Sequence, residues 1–65
     1  MNPGYVKVKE ICTNRFEVTL TQINDKYMIE FVNTRTDARD SSELIADYHM
    51  ASYLFDLKVD ELTGN

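Results

Sequence analysis

Two six-residue apolar-polar runs flanking Asn24-Asp25 constrain this chain more than any other feature. Phe16-Glu17-Val18-Thr19-Leu20-Thr21 alternates with the period of a half-buried strand, and so does Tyr27-Met28-Ile29-Glu30-Phe31-Val32. Asn and Asp tolerate the backbone of a tight turn. A two-residue loop there sets Leu20 opposite Ile29 and Val18 opposite Phe31, so both apolar sets fall on one side. A one-residue slip sends them to opposite faces. Turn chemistry and hydrophobic pattern therefore demand the same hairpin.

An earlier strand is expected over residues 5–12, with the hairpin strands over 16–22 and 26–33. In the first strand Val6 and Val8 alternate with Lys7 and Lys9, and then Ile11 falls out of phase. A β-bulge near Lys9-Glu10 brings Val6, Val8 and Ile11 to one face. Without it, Ile11 points outward, and the pattern does not choose between them. Asn14, with Thr13 and Arg15, turns the chain into the second strand.

Asn33 to Arg39 is polar and turn-like. Asp40-Ser41-Ser42-Glu43 then has the spacing of a capping box, with Ser41 as an alternative cap. It predicts a helix over residues 42–59 and frayed ends, with Thr63-Gly64-Asn65 beyond the helix. The expected fold is α+β: one domain spanning residues 1–65, with a three-stranded antiparallel meander and a C-terminal helix packed on one face (β-β-β-α).

That helix carries two apolar stripes. Leu44, Tyr48, Ala51, Phe55, Val59 and Leu62 share one side at about 100° per residue. They are expected to cover Val18, Leu20, Tyr27, Ile29 and Phe31. Ala46, Met50, Tyr53 and Leu57 lie opposite with Leu54 at their border, in the rhythm of a helix–helix seam. One helix on one sheet buries a single stripe. The second is expected to be a contact surface, with Asp47, Asp56 and Glu61 as its acidic rim. The bland alternative is ordinary exposure, since apolar atoms make up more than half of any protein surface.

Size sharpens this. A chain of 65 residues buries only about 60% of its unfolded surface, and a second copy adds core. The expected function is a small non-enzymatic protein–protein interaction module or accessory regulator, self-associating as a homodimer through the outer helix face or meeting a larger protein. The alternative is a nucleic-acid- or ligand-binding sheet using Lys7, Lys9, Arg15 and Lys26 with Tyr5. Charge disfavours it: residues 36–65 hold seven acids against two bases, the reverse of a phosphate-binding surface.

Chemistry-bearing residues are few. Cys12 is the only cysteine, which excludes an internal disulfide and favours a reducing, cytoplasmic setting. It reads as a small buried hydrophobe. His49 is the only histidine. The helical wheel sets it near Asp56 and Asp60 as a solvated side chain without an orienting partner. No cofactor motif, metal-ligand spacing or run of about 20 apolar residues is present. Neither a catalytic residue nor a cofactor, metal or membrane is expected.

Overall fold

The computed structural model describes residues 4–64. Four strands, β1 (Tyr5–Cys12), β2 (Phe16–Ile23), β3 (Lys26–Asn33) and β4 (Arg39–Ser41), precede one helix, α1 (Tyr48–Thr63). The strands form one antiparallel sheet in chain order, with α1 packed on β2 and β3. The class is α+β, as expected, but the sheet has four strands rather than three.

The β2–β3 hairpin has the expected register. Leu20 faces Ile29, Val18 faces Phe31, and Asn24 takes the left-handed conformation at φ 58°. Phe16, Val18, Leu20 and Ile29 are buried beneath Ala51 and Phe55 of the helix. Ile11, Tyr27, Phe31, Ile45, Leu54, Val59 and Leu62 pack around them. Thr13 closes the first turn, its hydroxyl accepting from the N–H groups of Arg15 and Phe16.

The bulge in β1 sits one residue earlier than expected. Pairing runs Lys7–Thr21 and then Lys9–Leu20, so Val8 is the extra residue. Ile11 pairs with Val18 and joins the core. Lys9 shares its parity and turns inward, while Val8 stays exposed.

The helix begins six residues later than the capping box predicts, because residues 39–45 line the outer side of β3 instead. Arg39, Asp40 and Ser41 pair with Val32, Phe31 and Glu30. Ser42 N–H donates to Ile29 O, the Ser42 hydroxyl accepts from Ile29 N–H, and Ile45 exchanges both bonds with Tyr27. The register shifts by one between Ser42 and Ile45, which leaves Leu44 exposed rather than on the buried stripe. Pairing of this segment supplies partners to backbone groups along the outer edge of β3, which the same residues could not do as a helix. Asp40 caps no helix; its carboxylate accepts from Ser41 N–H at 2.9 Å. Asp47 is the N-cap, accepting from Met50 N–H at 2.8 Å. At the other end the helix runs through Thr63, and Gly64 closes it with φ 82° and an N–H bond to Asp60 O. Asn65 lies outside the described residues.

Candidate functional site: the outer face of the helix

Starting the helix at Tyr48 redraws the second stripe. Met50, Tyr53 and Leu57 lie on the face opposite Ala51 and Phe55, and they are 51%, 59% and 45% exposed. Ala46 does not belong with them: it precedes the N-cap, outside the helix. Leu54 is half-buried and packs against the core. Of the acidic rim, Asp47 is occupied as the N-cap. Asp56 and Glu61 are exposed on α1, and Glu61 Oε1 lies 3.7 Å from Lys58 Nζ. Asp60 extends the acidic flank.

Leu54 also forms the lip of a groove. The helix packs on β2 and β3, and a hollow of about 250 Å³ opens between it and β4. Ile29 and Phe31 make its floor, Leu54 and Lys58 one wall, and Asp40, Ser41 and Ser42 the other. Lys58 Nζ sits 5.0 Å above the Phe31 ring, a cation–π contact that holds the lysine stem across the apolar floor. Met50 and Leu57 are four and three residues from Leu54, so the exposed stripe runs into this groove across one helix turn.

The basic sheet surface is thinner than composition implied. Lys9 is on the helix side, where Nζ donates to Ser52 Oγ at 2.6 Å and lies 5.5 Å from the Phe55 ring centroid. Lys7 is paired with Glu10 at 3.2 Å. By register, the outer face also carries Glu17 and Glu30. The inward lysine was the residue missed from the pattern. Ile11 was its signal, because two positions along a strand share a face.

A serine hydroxyl bonded to a lysine amine is a pairing also used for nucleophile activation. Here neither residue lines the groove or the smaller hollow of about 180 Å³ over Glu30, Val32 and Arg39. Cys12, expected to be buried, is exposed. The His49 ring meets Tyr48 edge-on at 5.8 Å. Among the described residues, no three His, Cys, Asp or Glu side chains gather to hold a metal ion. No helix among them is long and apolar enough to cross a membrane. Comparisons of the chain with protein-family models, curated proteins and solved structures found no match.

Proposed function

We propose that this chain is a small non-enzymatic protein–protein interaction module, an accessory regulator by type, whose docking surface is the outer face of α1. The observation that carries this reading is the exposure of Met50, Tyr53 and Leu57 along one line of a helix whose opposite side fills the core. Tyr is a frequent interface anchor, and Met adapts to varied partner shapes. Asp56, Asp60 and Glu61 flank the line, with Lys58 as the lysine on this helix. Two copies meeting helix to helix would bring those acids together. A partner surface with basic residues around an apolar strip complements them.

An amphipathic peptide of leucine and lysine tests this, with binding read by fluorescence anisotropy. The pair Met50→Glu and Leu57→Glu adds negative charge while removing apolar area. Binding that falls in this variant, with far-UV circular dichroism unchanged, supports docking on the stripe. Binding that stays equal or rises shows attraction by charge alone and sinks the reading. If the pair instead lowers the sedimentation mass, the occupant is a second copy.

A further inference from the structure

β1 is an edge strand: among the described residues, β2 is its only neighbour in the sheet. Its hydrogen-bond parity follows from its two ends. Asn24 N–H donates to Gly4 O, and Thr13 N–H donates to Phe16 O. Counting inward by alternation through the bulge, Val6, Lys9 and Ile11 direct their backbone groups to β2. Tyr5, Lys7, Glu10 and Cys12 direct theirs away, to the open side.

The bulge makes these four outward positions evenly spaced. Lys7 and Glu10 lie opposite Thr21 and Thr19, the separation of next-but-one neighbours in a regular strand. Their side chains accordingly meet in an ion pair at 3.2 Å.

We propose that β1 pairs antiparallel with β1 of a second copy, joining two four-stranded sheets into one of eight strands. This goes beyond the helix-face reading and uses a different surface. A two-fold axis between Val8 and Lys9 sets Lys7 against Glu10 of the second copy, and Tyr5 against Cys12. Each pair occurs twice, and every outward residue meets an outward residue. About eight backbone hydrogen bonds form.

The side chains are complementary in the same register. On the outer face, each lysine at position 7 faces a glutamate at position 10, the favourable cross-strand arrangement of opposite charges. On the helix side, Val6, which is 54% exposed, faces Ile11. A bulge at an edge ordinarily twists it away from a partner. Here it lies on the axis, so both strands carry the same twist at the same place. The chosen occupant is a second copy because the set Tyr5, Lys7, Glu10, Cys12 is complementary to its own reverse.

The test uses the full chain and two single variants. Lys7→Glu has only acids at positions 7 and 10, and Glu10→Lys has only bases. Wild-type chain is expected to sediment as a dimer at micromolar concentration. Each variant alone is expected to sediment as a monomer, and the two mixed in equal amounts as a heterodimer. An internal Lys7–Glu10 pair cannot produce rescue on mixing. A second measurement fixes the register. Tyr5→Cys places a thiol about 5.5 Å, Cα to Cα, from Cys12 of the second copy, within disulfide range. Within one copy the two positions are about 20 Å apart along the strand. Oxidation should give a covalent dimer that needs both cysteines. A wild-type monomer, or a dimer insensitive to both charge variants, overturns the proposal. So does a dimer lost in Met50→Glu with Leu57→Glu, which places self-association on the helix instead.

Discussion

Lys9 donates to the Ser52 hydroxyl at 2.6 Å, tying the edge strand β1 to the second turn of α1. The same amine lies over Phe55, which is buried beneath the helix. One charged side chain therefore fixes how the helix lies relative to the strand farthest from β4. Its stem covers apolar surface while its head keeps a polar partner.

Replacing Lys9 with Ala is expected to lower unfolding free energy by about 1–2 kcal/mol, through the lost cation–π contact and charge-assisted hydrogen bond. Lys7→Ala, on the outer face with an exposed ion pair, should cost well under about 1 kcal/mol. Urea titration followed by circular dichroism compares them. Equal costs would mean that Lys9 does not clamp the helix.

The helix start is tested by its two rival caps. Asp47→Ala leaves Met50 N–H without its acceptor and should cost about 1 kcal/mol, with reduced helical signal. Asp40→Ala should leave the helical signal unchanged, since its carboxylate bonds only to Ser41 N–H within β4. The opposite ranking would move the helix start back to residue 42.

Two leucines distinguish the faces. Leu20 is fully buried, so Leu20→Ala should destabilise by about 2–5 kcal/mol. That is a large share of the 5–15 kcal/mol typical of folded domains. Leu57→Ala, on the exposed side, should change stability by no more than about 0.5 kcal/mol. A core-like cost at Leu57 in dilute monomer would show that the outer stripe is not a free surface.

The hairpin was legible from the chain because three local signals agree. Asn24-Asp25 turns tightly, the flanking runs alternate, and only one register keeps Val18, Leu20, Ile29 and Phe31 together. The helix start was not legible for the opposite reason. Asp40 and Asp47 both offer a carboxylate to a nearby backbone N–H, and local spacing ranks the first higher because Glu43 completes a box. The decision is made by the open edge of β3, which exists only once the sheet has formed. Ala46 shifted with that boundary, since it was placed by the phase of a helix running from residue 42, whereas Leu54 keeps its phase at the border of the stripe and packs against the core from there. Met50, Tyr53 and Leu57 kept their place on the outer face. Lys9 followed the bulge: moving it by one residue exchanges which of Val8 and Lys9 accompanies Ile11 to the interior.

The bond from Ser41 N–H to the Asp40 carboxylate has a consequence for how the sheet can grow. It occupies a donor on the open side of β4, and that strand is only three residues long. β1 is eight residues long, and among the described residues no side chain bonds to its outward N–H groups. The sheet thus has a long edge strand at one end and, at the other, a short one with an occupied donor. If copies join through β1, each joined copy presents its β4 side outward. The two-fold contact closes at two copies, and the Asp40 carboxylate leaves one donor fewer on the outer strands of that pair.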